Sequence, residues 1–395
     1  MSMRQKKSSQ HYLPKRILVI EDDSAVQSLI KMSFRDFGIH DVYCFADAES
    51  GWAEMQESRF DLIVLDWNLP GISGRQMFNR IRLSRVFRNI PVIVASGNLS
   101  RDDHNLIKQF FFSVTIDKPF EDNLLLKITH EVMREKFDHK GIIKRTEAVY
   151  QKKIGGSQQE TFDLLEKWLL NIGQQPMGVS MIADVARSIH AFDLSAKILG
   201  DALKIHQDNV LLSHQYAITM LQRGDYQLAI ECFQHANSLF GENLERMIYL
   251  GLLEFNRGQY DNGMMFFDKV RNADTDAPVN KVLLEMINFI RGRFTPQAIL
   301  ALKNGIGHCL AKLAWETAHI GEYASGADFY LMALTFTHEP SARAKIYYNL
   351  AVCKARLGKK NRAVRYFLRS IDCDNECRDS VKGLKAFGLE PPTAA

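Results

Sequence analysis

Glu21 and Asp22, Asp66, Ser96 and Lys118 carry groups that could do chemistry together. Each stands at or just past the end of a separate β-branched run: Ile17–Ile20, Leu62–Leu65, Pro91–Ala95 and Val114–Ile116. With Val42–Phe45 these make five strand-like runs separated by segments of helix length. That pattern predicts a parallel sheet covered on both faces, because parallel strands need long crossovers. In a doubly wound α/β sheet, ligands bind at the carboxyl ends of the strands, near the point where strand order reverses. Three carboxylates, a hydroxyl and an ammonium are therefore expected on one sheet edge. Carboxylates that close repel unless a cation neutralises them. Mg²⁺, a hard ion that takes oxygen ligands and keeps several waters, fits that need.

The elements that must position these groups end near Phe137, and the apolar spacing then shifts to three and four, which predicts helices. Residues 15–136 are read as the α/β domain, and 137–159 as a linker or an extension of its last helix, closing with Gly155-Gly156-Ser157. Residues 160–390 are read as all-α. In that half Gly224-x-Tyr226-x2-Ala229-x3-Phe233-x2-Ala236 recurs 34 residues on as Gly258, Tyr260, Gly263, Phe267 and Val270. It returns at Gly321, Tyr323, Gly326, Tyr330 and Ala333, and at Gly358, Lys360, Ala363, Phe367 and Ser370. Phe192, Ser195, Leu199 and Ala202 occupy the matching places 34 residues before the first set, and Pro278–Ile306 has room for a degenerate copy. Such spacing describes a helix hairpin: glycine makes the turn, the aromatic ring wedges between helices, and the small residue allows close approach.

Two resemblances follow from these residues. Ile17-Leu18-Val19-Ile20-Glu21-Asp22-Asp23, Val64-Leu65-Asp66 through Gly74, Pro91 to Ser96 and Asp117-Lys118-Pro119-Phe120 resemble the response-regulator receiver family. The repeats, from Pro176 to Asn375, resemble the tetratricopeptide repeat family, a superhelix of helical hairpins. The first resemblance implies that Asp66 accepts a phosphoryl group from a phosphohistidine of a sensor kinase or phosphotransfer protein. It implies Mg²⁺ held by Asp22 and Asp66, by Glu21 mainly through water, and by the backbone carbonyl of Asn68. Lys118 would pair with the acyl phosphate, and Ser96 would turn toward it as the switch. Asp23 is assigned to capping the first helix. The repeats imply a groove that binds a protein or peptide.

Two departures qualify the resemblance. Thr115 stands where receivers place the aromatic of the switch. Phe110-Phe111-Phe112 replaces a small turn; these rings either fill the core or form an apolar patch for a phosphorylation-dependent homodimer.

Composition excludes several classes. No run approaches the ~18 apolar residues of a membrane span. The basic start, with Arg4, Lys6 and Lys7, lacks a following apolar stretch, so no secretory signal is expected and the cytoplasm is the expected compartment. Six scattered cysteines read as reduced core residues. A net charge of +4, taken as evenly spread, argues against nucleic-acid binding over the whole surface. His190, His206, His214, His235, His308, His319 and His338 fall singly on the repeats and read as surface or groove residues. No catalytic motif marks the second half, so no enzyme activity is expected beyond the receiver's part in its own phosphorylation and dephosphorylation. The leading expectation is a phosphorylation-controlled adaptor. The alternatives are a modulator that competes for a sensor kinase, or a transcriptional regulator with an unrecognised nucleic-acid surface.

Overall fold

The computed structural model describes residues 13–84, 86–152, 163–169, 175–240, 243–374 and 377–389; the basic start and the Gly155-Gly156-Ser157 turn lie outside them. The chain divides into two compact units: Met1–Lys144 with Leu239–Leu244 and Ala273–Val279, and the remainder.

In the first unit, β1 (Arg16–Ile20), β2 (Asp41–Phe45), β3 (Leu62–Asp66), β4 (Val92–Ser96) and β5 (Ser113–Asp117) form one parallel sheet in the order β2-β1-β3-β4-β5. β3 and β4 are buried at every residue, as expected of strands covered on both faces. The connecting helices are α1 (Ser24–Asp36), α2 (Ala48–Glu57), α3 (Gly74–Leu83), α4 (Arg101–Ile107) and α5 (Asp122–Lys152). Asp23 does cap α1, its carboxylate accepting from the amides of Ala25 and Val26. α3 opens on a reciprocal Ser73–Gln76 capping box, which fixes where the loop after Asp66 becomes helix. α5 runs sixteen residues past Lys136, so helix occupies much of the stretch read as linker or extension.

The three phenylalanines after α4 are placed among other rings. Phe112 is buried with a left-handed backbone (φ 57°), and Phe110 and Phe111 are half-buried. Phe110 meets Phe78 edge-on at 5.5 Å, while Phe111 and Phe112 pack on His139 of α5. Close by, the buried guanidinium of Arg82 donates to the carbonyls of Arg88, Ile90 and Phe112 and to Ser113 Oγ. It thereby satisfies acceptors that the chain would otherwise bury unpaired. Two residues earlier on α3, Arg80 forms a two-pronged ion pair with Asp274, at 2.5 and 2.8 Å, with both side chains nearly inaccessible to water.

The second unit is a set of antiparallel helix pairs: α6 (Pro176–Ser188) with α7 (Phe192–Ile205), α8 (Val210–Arg223) with α9 (Tyr226–Leu239), and α10 (Leu244–Asn256) with α11 (Tyr260–Ala273). Then follow α12 (Pro278–Arg293) with α13 (Pro296–Ala301), α14 (Gly305–His319) with α15 (Tyr323–Thr335), and α16 (Pro340–Arg356) with α17 (Lys360–Cys373). The stretch read as a degenerate copy is such a pair with a second helix of six residues. The repeat signature is explained by contact: a Cβ on Gly251 would lie 2.5 Å from the Phe267 ring, and one on Gly263 would lie 2.3 Å from Phe255. α18 (Arg378–Ala386) then lays Leu384 and Val381 on Phe367, covering the last apolar face.

Contacts also join pairs far apart in sequence. His190, in the α6–α7 turn, lies 3.1 Å from Arg343 Nη2 and 2.9 Å from the Tyr347 hydroxyl. The Tyr226 hydroxyl donates to the Phe336 carbonyl at 2.8 Å.

Two histidines depart from the surface reading. His190 is held in those bonds, and His214 is buried at 3% exposure against Phe233. Burial holds the His214 imidazole below its usual range, with Glu245 opposing and Arg246 and Arg187 reinforcing the effect. A histidine kept neutral in the fold is protonated more readily in the unfolded chain. Its contribution is complete above the unfolded value and is lost as pH falls toward the folded one. Stability of this unit should therefore decline as pH drops from 7 toward 5, and His214→Gln should flatten that slope in urea unfolding at several pH values. An unchanged slope would remove His214 as its source.

Candidate phosphoacceptor site

The sheet order places β1 beside β3, with β2 leaving in one direction and β4 in the other, so the reversal of strand order falls where Glu21, Asp22 and Asp66 emerge. Ligand atoms of these three carboxylates lie within 4.8 Å of one another. Glu21 and Asp66 are buried, whereas Asp22 is exposed at the mouth. Lys118, past the end of β5, brings its Nζ 2.6 Å from Glu21 Oε2 and 3.2 Å from Asp66 Oδ2. Its backbone amide donates to the Ser96 carbonyl, which ties the lysine loop to the end of β4. Burial pushes the Glu21 carboxyl above its usual range and the Asp66 charge adds to this, while the hydrogen bond from Lys118 pulls it down.

The remaining predicted residues surround this group. The Asn68 amide donates to Asp66 Oδ1 at 3.2 Å, and its side-chain Nδ2 donates to Ser96 Oγ at 3.3 Å. Ser96 is fully buried, and its hydroxyl also accepts from the Asn98 amide. Asp66, Asn68 and Ser96 thus share one hydrogen-bonded chain. Thr115, in the middle of β5, has its hydroxyl 3.3 Å from His104 Nδ1 on α4. His104 was not singled out from the sequence, and no spacing signal connects it with a residue eleven positions on.

Gly74 closes the motif that begins at Val64, and its role is structural and direct. A Cβ there would fall 2.0 Å from the Asp66 carbonyl oxygen and 2.6 Å from Trp67 Cα. Only glycine lets α3 start against the backbone of the acceptor aspartate.

Two ions' worth of negative charge remain when one lysine faces three carboxylates. That excess, on oxygen ligands opening to solvent at Asp22, is compatible with a divalent cation such as Mg²⁺.

Residues 17–130 match the model of the response regulator receiver domain, and residues 344–377 match a tetratricopeptide repeat. The chemotaxis protein CheY of Pseudomonas aeruginosa is 26% identical over 123 residues, 31% of this chain and 93% of that protein. The cell cycle response regulator CtrA of Brucella abortus is 31% identical over 124 residues, but this match spans only 52% of that protein. Among solved structures, the receiver domain of sensor histidine kinase PA1611 from Pseudomonas aeruginosa has a magnesium ion coordinated in its active site cleft. It is 26% identical, with 30% of this chain and 97% of that chain covered, at a TM-score of 0.28. Chemotaxis protein CheY4 of Vibrio cholerae covers the same shares at 24% identity and a TM-score of 0.28. Among the described residues no helix is long and apolar enough to cross a membrane. The chain therefore joins a response regulator receiver domain at residues 17–130 to a helical half that carries the tetratricopeptide repeat.

Proposed function

We propose that the protein accepts a phosphoryl group on Asp66 from a phosphohistidine of a sensor kinase or phosphotransfer protein, and that this modification controls protein binding by the repeat half. The observation that carries this reading is the Glu21–Asp22–Asp66 cluster with Lys118 in contact with two of its members. An Asp66 carboxylate oxygen attacks phosphorus, the phosphorus–nitrogen bond of the donor breaks, and the histidine nitrogen keeps the electron pair and takes a proton. Negative charge gathers on the phosphoryl oxygens, and catalysis of such a transfer rests on positioning and electrostatics.

Glu21, Asp22 and Asp66 would hold Mg²⁺ together with the Asn68 carbonyl, and the ion would screen that gathering charge. Lys118, held 3.2 Å from Asp66, would pair with the product phosphate. Ser96 lies one hydrogen bond from Asn68 and is placed to answer the new charge. Thr115 and His104 link β5 to α4 and would relay that movement in place of an aromatic switch. The ring contacts of Phe110, Phe111 and Phe112 favour a core role for these residues over a homodimer patch. The tetratricopeptide half supports a protein or peptide as the output partner.

The test is incubation of the full chain with a small-molecule phosphodonor and Mg²⁺, comparing wild type with Asp66→Asn by intact mass. One base-labile phosphate on wild type and none on the variant is expected. An unmodified wild type, or equal modification of both proteins, defeats the proposal.

A further inference from the structure

The net charge of +4 conceals a segregation, so the even spread read from the sequence does not hold. From Pro340 to Ile371, thirty-two residues, there are nine Lys and Arg and no Asp or Glu. Residues 160–339 carry fourteen Lys and Arg against twenty-one Asp and Glu. The cations therefore concentrate on the α16–α17 hairpin. Arg356, Lys359, Lys360, Arg362 and Arg365 are all exposed, at the end of α16, the turn and the start of α17. Arg362, Arg365 and Arg369 follow the three-and-four spacing of one helix face, and half-buried Tyr366 shares it. Tyr366 stacks on Tyr347 with centroids 6.2 Å apart and ring planes 18° from parallel.

This placement works against the fold. Lys359 is the N-cap residue of α17 and supplies no cap hydrogen bond, and no acidic side chain stands in the first turn. Lys360 and Arg362 instead put positive charge at the positive end of the helix dipole. Crowding reaches Lys354, whose ammonium is held below its usual range first by burial and then, against Asp328, by Lys359 and Arg362. A missing side-chain cap is common to α6, α7, α14, α15, α16 and α18 as well, so it is the cations set against the helix dipole that mark this start as kept for function rather than for stability.

We infer that the α16–α17 hairpin docks the phosphate backbone of a nucleic acid, without reading its sequence. A nucleic acid offers charge of one sign along its whole length, which suits a hairpin whose one carboxylate, Asp372, stands at the far end of α17, away from the turn where the cations gather. Protein partners are set in register by patterned, complementary charge, and the turn and the first half of α17 offer cations alone. Arginine forks fit phosphate oxygens, and Tyr366 among them offers a ring edge or face to an unpaired base.

The full chain is titrated with labelled single-stranded and duplex oligonucleotides, and with polyglutamate of matched charge, at about 50 and about 200 mM salt. Oligonucleotide binding that weakens at least roughly tenfold across that range is expected. Lys359→Asp with Arg362→Glu should weaken binding at low salt by a further tenfold or so. Lys359→Asp alone supplies the missing cap, so it should raise the thermal midpoint while weakening binding, opposite signs that a purely structural lysine would not give. Lys204→Ala, on α7, should leave binding unchanged. Absence of binding at low salt, or binding retained by the double variant, overturns the inference. Polyglutamate bound as tightly as the oligonucleotides also overturns it and assigns the hairpin to an acidic polypeptide. Asp66→Asn leaves this hairpin intact, so the phosphorylation reading can fail without touching the result.

Discussion

Replacing Gly74 by alanine is expected to cost about 3 kcal/mol of stability or more, and to slow phosphorylation of Asp66 roughly tenfold to a hundredfold. The added methyl group would lie 2.0 Å from the carbonyl oxygen of Asp66 and 2.6 Å from Trp67 Cα. Both are backbone atoms that cannot swing away as the end of a side chain would. Either the start of α3 lifts from the sheet edge or β3 shifts, and the second movement carries the acceptor carboxylate away from Lys118. Gly141 provides the comparison. It is a helical glycine with nothing within 4 Å of an added Cβ. Alanine there should stabilise by roughly 0.5–1 kcal/mol, because glycine weakens a helix interior. Urea unfolding followed by phosphorylation kinetics checks both, and a Gly74→Ala protein with the wild-type midpoint and rate would refute the account.

The second large effect is expected at Arg80 and Asp274. Their side chains retain only 7% and 6% of their accessible surface, and the guanidinium and carboxylate meet through two parallel bonds. The bond to Asp274 is the first reason that the Arg80 guanidinium is held above its usual range, so the arginine is charged at every accessible pH. Removing one partner strands the other charge away from water, and Arg80→Met or Asp274→Leu alone should cost about 3–5 kcal/mol. The two changes together should recover most of that loss, because an apolar pair of similar volume carries no desolvation penalty. A double-mutant cycle on unfolding free energy measures this directly. Single variants costing under about 1 kcal/mol would show a pair that behaves like an exposed one.

The sheet and its site were largely legible in the sequence, for a physical reason. Strands buried on both faces must be continuous apolar runs, so Leu62–Leu65 and Pro91–Ala95 announce themselves, and chemistry at strand ends is then located by counting. The repeats were legible because small residues and rings recur at fixed spacing, and in one hairpin the reason is visible: Gly263 of the signature leaves no room for a Cβ against the Phe255 ring. What escaped was pairing over long separations. Nothing local in the sequence connects Arg80 with Asp274, 194 residues away, or His104 with Thr115 across a turn. Phe112 hid for a different reason: its left-handed backbone is a conformation associated with glycine, and only packing on His139 and Phe111 shows how a phenylalanine occupies it. The charge segregation was present in the residues but vanished in the total, since the acidic excess of residues 160–339 offsets the basic hairpin.

The bonds from His190 to Arg343 and Tyr347, and from Tyr226 to the Phe336 carbonyl, change what kind of object the helical half is. An open solenoid is a string of neighbours that can fray from either end, each hairpin answering only to the next. Here turns early in the string are clasped to hairpins more than a hundred residues later. Forming that clasp costs closure entropy that grows only with the logarithm of the enclosed length. Once it has formed, the first hairpin is no longer a loose end, and fraying from that end must first break these bonds.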